Sequence, residues 1–248
     1  MSTRDWDGAA YDRISTPQEQ WATVTLDRLE LDGDETVLDA GCGSGRVTRM
    51  LLDRLPRGRV LAVDAAPSMV EQARQNLDER ATVWQSDLLE LEVPEPVDAV
   101  FSNAVFHWVG DHRALFARLR AALKPGGQLV AQYGGRGNIE RFHERAREVA
   151  TQEPYARYLG GWEGPWNFAT AEDTVDELTK EFDHAEAWLE ESTIVPPEPE
   201  TYLRVVCLGH HLEALPEKLR ASYTRAVLER CGNPVELDYV RLNILARG

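Results

Sequence analysis

Residues 35–45 read Glu-Thr-Val-Leu-Asp-Ala-Gly-Cys-Gly-Ser-Gly, so a single acid, Asp39, stands directly ahead of glycines at 41, 43 and 45. Glycine reaches backbone conformations closed to other residues and lets a chain turn sharply beneath a small molecule. A dinucleotide loop would carry its third glycine where this chain has Arg46, so that a helix start could meet a pyrophosphate. Asp39 would repel a pyrophosphate, yet it suits a ligand with an ammonium group. A second acid, Asp64, ends the apolar run Arg59-Val-Leu-Ala-Val-Asp64 at about the place where a ribose-binding acid follows such a corner. Its carboxylate would accept hydrogen bonds from both ribose hydroxyls. The third reactive group is His107, in Ser102-Asn-Ala-Val-Phe-His-Trp-Val109. It either takes a proton from an acceptor molecule or is fixed in the wall by a hydrogen bond.

These side chains need strands that end at them. A short apolar strand runs into Asp39, and Val47, Met50, Leu51 and Leu55 then repeat at helical spacing over 46–55. A strand at 59–64 is followed by Pro67 at a first helical position, with Met69, Ala73 and Leu77 on one helix face. Met69 packs either on a ligand's adenine or in the core. A third strand at 81–85 leads into Ser86-Asp87-Leu88, a fourth at 97–102 into Asn103, and a fifth, at 128–133, follows the helix stop Lys124-Pro-Gly-Gly127. Ahead of them, Thr16-Pro-Gln-Glu19 has capping-box spacing, with Trp21, Val24, Thr25 and Leu29 on one face. Behind them come a charged helix at 138–150, a glycine- and aromatic-rich loop at 158–168, a helix at 171–182 and a strand at 186–194. Two helices, at 200–213 and 215–231, lead to a last strand at 237–246.

With 248 residues the chain can bury a full α/β core as one domain with a small cap. A net charge of −15 argues against a nucleic-acid surface, whose affinity rests on neutralising phosphates. No apolar run is long enough to span a bilayer and residues 1–8 lack a signal peptide's apolar region, so a cytoplasmic protein with no membrane partner is expected. Cys42, Cys207 and Cys231 have neither zinc nor disulfide spacing, so no metal is expected.

Taken together, these motifs make the chain resemble class I S-adenosylmethionine-dependent methyltransferases, and within them the trans-aconitate 2-methyltransferase-like group of small-molecule carboxyl methyltransferases. The resemblance is carried by Trp6-Asp-x-x-x-Tyr11, Asp39-Ala-Gly-Cys-Gly-Ser-Gly45, Ser102 to Val109 followed by Asp111-His112, and the helix pair before the last strand. It implies a three-layer Rossmann-like α/β fold with a seven-stranded, mostly parallel sheet, an antiparallel last strand and a small helical cap. One methyltransferase domain, 1–248, is then divided into a cofactor-binding half with an N-terminal lid helix (1–133), a variable substrate cap and strand (134–235) and the last strand (236–248). The cofactor S-adenosylmethionine would be held by Asp39, Ala40, Gly41, Cys42, Gly43, Asp64, Ala65, Met69, Ser86, Asp87, Leu88 and Asn103. In the family a carboxylate near 86–88 receives the adenine amino group. Tyr11, Gln20, Trp108, Trp162 and Trp166 are the candidate contacts to the acceptor, and His107 and Asn103 the candidate catalytic groups.

Two departures lie where specificity is set. His107 stands where the aconitate enzymes carry glutamine, and the 160–168 loop has no counterpart. The Phe-His-Trp phrase is also similar to juvenile-hormone-acid-type methyltransferases. A carboxylate acceptor is ionised at neutral pH and needs alignment rather than a base, whereas a hydroxyl would need one within hydrogen-bond reach. Arg136, Arg141, Arg157 and Arg204 serve either as carboxylate forks or in surface ion pairs. The absence of an Asp/Asn-Pro-Pro-aromatic corner counts against adenine N-methylation. The expected partner is a small-molecule acceptor bound by a monomer. The alternatives are methylation at carbon, nitrogen or hydroxyl, a nucleotide-linked oxidoreductase, or a cofactor-binding protein without catalysis.

Overall fold

A computed structural model describes residues 16–248, with side chains from Trp21 onward. In chain order the elements are α1 (Thr16–Leu26), β1 (Thr36–Ala40), α2 (Arg46–Asp53), β2 (Arg59–Asp64), α3 (Pro67–Asn76), β3 (Ala81–Gln85), β4 (Val97–Asn103), α4 (His112–Ala122) and β5 (Leu123–Gly134). They continue with α5 (Glu140–Ala150), α6 (Ala156–Leu159), α7 (Ala171–Leu178), β6 (His184–Ile194), α8 (Pro199–Tyr202), α9 (Gly209–Ala214), α10 (Glu217–Cys231) and β7 (Leu237–Arg247). The seven strands form one sheet in the order β3-β2-β1-β4-β5-β7-β6. Pairings among β1 to β5 are parallel and β5 pairs antiparallel with β7, as the family resemblance implies.

The described chain forms two compact units, one of 16–136, 167–190 and 241–248, the other of 137–166 and 191–240. In the first, strand alternation sorts the core into two layers. Leu38, Leu61, Val63 and Val100 face one side with Leu115, Phe116 and Leu119 of α4 and Leu178 of α7. Val37, Val60, Ala62, Ala99 and Phe101 face the other, with Leu26, Leu51, Leu52 and Ala73 from α1 to α3. Three layers follow from period-two strands that are apolar on both faces. The α1 face differs from the sequence expectation, because Val24 is 49% exposed while Ala22, Thr25, Leu26 and Leu29 are buried. The buried stripe is thus centred between Thr25 and Leu29, and Val24 falls outside it.

In the second unit buried phenols tie α10 to α5 and α8 to the start of β7: Tyr223 donates to the Ala146 carbonyl at 2.9 Å, and the Tyr202 and Tyr239 hydroxyls lie 2.9 Å apart. The single helix expected at 200–213 is broken here. Residues Leu203–Cys207 form a π-helical turn, closed by the Leu208 N–H on the Leu203 carbonyl at 2.7 Å, before α9 starts at Gly209. The expected helix stop at 124–127 lies inside β5 as a bulge: Val97 pairs with Leu123 and Ala99 with Gln128, so the intervening residues loop out. No helix of the described residues is long and apolar enough to cross a membrane.

Register between β1 and β2 depends on a close backbone approach. The Arg59 N–H donates to the Glu35 carbonyl at 3.0 Å, and a Cβ on Gly58 would lie 2.3 Å from that same oxygen. Gly58→Ala should therefore lower unfolding stability by about 1–3 kcal/mol, since overpacking against backbone cannot relax as a side chain would. Urea unfolding measures this; an unchanged midpoint would mean that the two strand starts move apart freely.

Candidate active site

The four parallel strands β1 to β4 end together, because Ala40 is level with Val63, Asp64 with Gln85, and Asp39 with Phe101. Strand order reverses between β1 and β4, and the carboxyl ends at such a reversal form the usual ligand crevice of open α/β sheets. The 41–45 loop is tied down by backbone bonds from the Gly41 and Cys42 N–H groups to the Val63 carbonyl, at 2.8 and 2.9 Å. The Gly43 N–H donates to Asp64 Oδ2 and the Ala66 N–H to Asp64 Oδ1, each at 2.9 Å. Asp64 therefore holds the loop with lone pairs to spare for a ligand.

Two glycines of this corner meet different needs. Gly43 has φ +53° and a Cβ there would meet nothing within 4 Å, so the space above it is open. Gly41 has φ +94° and a Cβ there would lie 2.2 Å from Val105 Cγ2, so glycine lets the turn after β4 close against the corner.

Asp39 is 2% exposed and accepts the Thr48 hydroxyl at 2.7 Å. Burial pushes its carboxyl up to about 7, the Thr48 bond opposes this, and the charge of Asp64 adds to it. Burial likewise raises the Cys42 thiol, which stays protonated and is no nucleophile. The Asn103 Oδ1 is buried with no hydrogen-bond partner among the described residues. Asp64 and the Asn103 Oδ1 thus present acceptor atoms at these strand ends, beside the Asp39 carboxyl. Such a set fits a cation bearing hydroxyl and amine donors, as S-adenosylmethionine does, and it does not fit a phosphate.

The other wall is the turn after β4. Ala104 has φ +63°, a strained conformation for a residue with a Cβ, and donates its N–H to the Gln132 carbonyl. A 3₁₀ turn, Phe106–Trp108, then buries His107 to 8% exposure. The Gly134 N–H donates to His107 Nδ1 at 3.3 Å. A nitrogen that accepts an N–H carries no proton, so the neutral ring bears its hydrogen on Nε2. Asn167 donates its backbone N–H to the His107 carbonyl at 2.8 Å, and the Phe168 ring stacks on the imidazole with centroids 6.0 Å apart. Thr48, Gly134, Asn167 and Phe168 were not singled out from sequence. Of these, only Thr48 carried a local signal, a hydroxyl in the helix turn directly after the glycines.

The remaining expected site residues fall as follows. Ala40 and Cys42 are buried in the corner, and Ala65 and the buried Met69 flank Asp64. Asp87 is exposed and caps a 3₁₀ turn through Leu89 N–H at 3.0 Å, with Ser86 partly and Leu88 fully buried beside it. Trp108 is half-buried, with its ring 4.5 Å from that of His107. Trp162 and Trp166 belong to the second unit, where they meet edge to face at 5.6 Å and pack on His211 and His143. Of the candidate arginines, Arg141 pairs with Asp238 at 3.2 Å. Tyr11 and the Gln20 side chain lie outside the described residues.

Residues 37–127 match the family model described as a methyltransferase domain. A trans-aconitate 2-methyltransferase of Azoarcus sp. (strain BH72) is 38% identical over 157 residues, 63% of this chain and 60% of that protein. Another, of Acidovorax sp. (strain JS42), is 30% identical over 233 residues, 92% of this chain and 89% of that protein. The chain spans about three-fifths of the length of the first relatives it matches. The solved structure of the YcgJ protein from Bacillus subtilis superposes with a TM-score of 0.61 at 14% identity, covering 92% of this chain and 98% of that one. At that identity the likeness is one of fold.

Because Asp39 is raised from 3.8 to about 7, the folded, ligand-free protein keeps a proton that the unfolded chain gives up near pH 4. The contribution is fully present below the unfolded value, declines as pH rises to about 7 and is lost above it, a change of roughly 4 kcal/mol. Asp39→Asn keeps a neutral group at every pH. Its stability relative to the parent should increase between about pH 4 and pH 7 and level off above that. Thermal unfolding across that range decides the point, and a difference that does not vary with pH would show that Asp39 does not titrate there.

Proposed function

Because the chain belongs to the class I S-adenosylmethionine-dependent methyltransferases, in the group of the trans-aconitate 2-methyltransferases, we propose that it methylates a carboxylate oxygen of a small organic acid. The observation that carries this reading is the Gly134 N–H on His107 Nδ1, which makes the imidazole a donor rather than a base. A hydroxyl acceptor would have to lose a proton, and a ring with its hydrogen on Nε2 does not receive it there. A carboxylate has none to lose.

When bound, S-adenosylmethionine supplies a methyl carbon on a sulfonium, open to in-line attack by an oxygen. Asp39 and Asn103 would face its ammonium end, Asp64 its ribose, and Met69 with residues 86–88 its adenine. The loop of Ala40, Gly41, Cys42 and Gly43 would run beneath it. Transfer would form the oxygen–carbon bond as the carbon–sulfur bond breaks, leaving a neutral ester and neutral S-adenosylhomocysteine; the acid's charge would vanish, so a donor on the attacking oxygen would hold back the reaction. His107 Nε2–H therefore acts best on the other carboxylate oxygen, where it fixes orientation without quenching the nucleophile. Trp108 would supply apolar contact to the body of the acid. The buried acids of the corner also oppose the leaving of a cation, which turns binding and release of the cofactor into a charge-dependent step.

The test is a screen for S-adenosylhomocysteine release over polycarboxylic, aromatic and fatty acids, trans-aconitate first. On the acid that turns over, His107→Asn should cost about tenfold or less, mostly in acceptor KM. Loss of a general base would instead cost about 100-fold or more in kcat, and that result would move the enzyme among the hydroxyl methyltransferases. Asp64→Ala removes acceptors for charge-assisted hydrogen bonds worth about 1.5–3 kcal/mol each, so cofactor affinity should drop by at least about tenfold. Calorimetry with S-adenosylhomocysteine reads it; unchanged affinity would mean that the ribose is held elsewhere.

A further inference from the structure

We propose that Asn167 is a positioning residue for His107, and that the strap of residues 167–169 holds this imidazole as a fixed Nε2–H donor. The proposal rests on the role given to His107 above. Asn167 places three hydrogen bonds on the turn that carries the ring. Its N–H reaches the His107 carbonyl at 2.8 Å, and its Nδ2 reaches the Val109 and Gly110 carbonyls at 3.2 and 3.1 Å. Phe168 then lays its ring on the imidazole at an interplanar angle of 27°. Two residues beyond Asn167, the Ala169 carbonyl accepts the Arg136 N–H at 2.8 Å, just past the end of β5.

The strap is therefore tied on one side to the turn bearing His107 and on the other to the chain that follows Gly134, whose N–H sets the tautomer. A three-residue 3₁₀ turn has few bonds of its own to hold a side chain in register. Asparagine suits the position because one amide nitrogen can donate to two carbonyls, whereas a carboxylate would face them with like charge. A donor that is locked and cannot act as a base selects acceptors ionised before they bind. That gives the substrate class a structural cause outside the cofactor motifs.

The experiment is nitrogen NMR of the histidine rings in the ligand-free protein, with His107 assigned by its loss in His107→Asn. The parent should show His107 as a single Nε2–H tautomer. In Asn167→Ala the ring nitrogens should move toward the average of the two tautomers, while S-adenosylhomocysteine affinity stays within about twofold of the parent. Phe168→Leu, which keeps an apolar side chain and removes only the stacked ring, should give the same displacement and stands in if Asn167→Ala fails to fold. A ring that stays Nε2–H in both variants, or is Nδ1–H in the parent, overturns the proposal.

A kinetic arm separates this proposal from the reading beneath it. Asn167→Ala alone should raise the acceptor KM by about tenfold, but by less than about twofold when added to His107→Asn. Equal losses in both backgrounds would mean that Asn167 acts on the fold and not through His107. If His107→Asn itself leaves the kinetics of acid turnover unchanged, the carboxylate role falls, whatever the NMR result.

Discussion

An ionisable carboxyl with almost no contact with water sits near the end of β1, where the strand order reverses. Removing Asp39 from solvent is costly for its charged form, and a single hydroxyl, from Thr48, offsets only part of that cost. The surrounding architecture keeps that unfavourable group in place. Strands on either side of β1 are apolar on both faces, the glycine loop is stitched to the end of β2, and a second acid lies close enough to disfavour ionisation further. A site so built resists the ionisation of its central carboxyl and favours a cation beside it. The unpartnered Asn103 Oδ1 favours the same kind of ligand from an independent atom.

The turn after β4 solves a different problem. It must hold a buried imidazole in a single orientation. A strained alanine, a short 3₁₀ turn and a backbone N–H on the ring's inner nitrogen together orient His107 and set its hydrogen. Strain of this kind persists only where neighbours over-determine the conformation. Here the neighbours are β5 and the segment after Trp166.

What could be read from the chain follows the range of the interactions. Strand ends at Asp39, Asp64 and Asn103 were legible because buried parallel strands leave unbroken apolar runs, and an acid at the end of such a run is conspicuous. The 41–45 loop was legible because positive φ angles need glycine. Other features depended on contacts that no local pattern records. The tautomer of His107 depends on Gly134, and the hold on its turn comes from Asn167, sixty residues further along the chain. The π-helical break at Leu203–Cys207 left no mark in the apolar spacing, and Val24 fits the helical repeat yet lies outside the buried stripe. Exposure of Asp87 was equally hidden, since a cap residue and a ligand residue have the same side chain.

The contact between Gly41 and Val105 bears on how such a protein can change over time. The missing side chain at 41 is the socket into which the valine of the other turn fits, so the two loops that border the crevice share one steric boundary. Enlarging Val105 would press on the backbone of the first loop, and shrinking it would leave a gap beside that loop. Residue 41 cannot answer either change, because its φ of +94° keeps it glycine whatever its neighbour becomes. Change at this seam therefore needs both loops to move together, and a single substitution on either side meets a partner that cannot follow it.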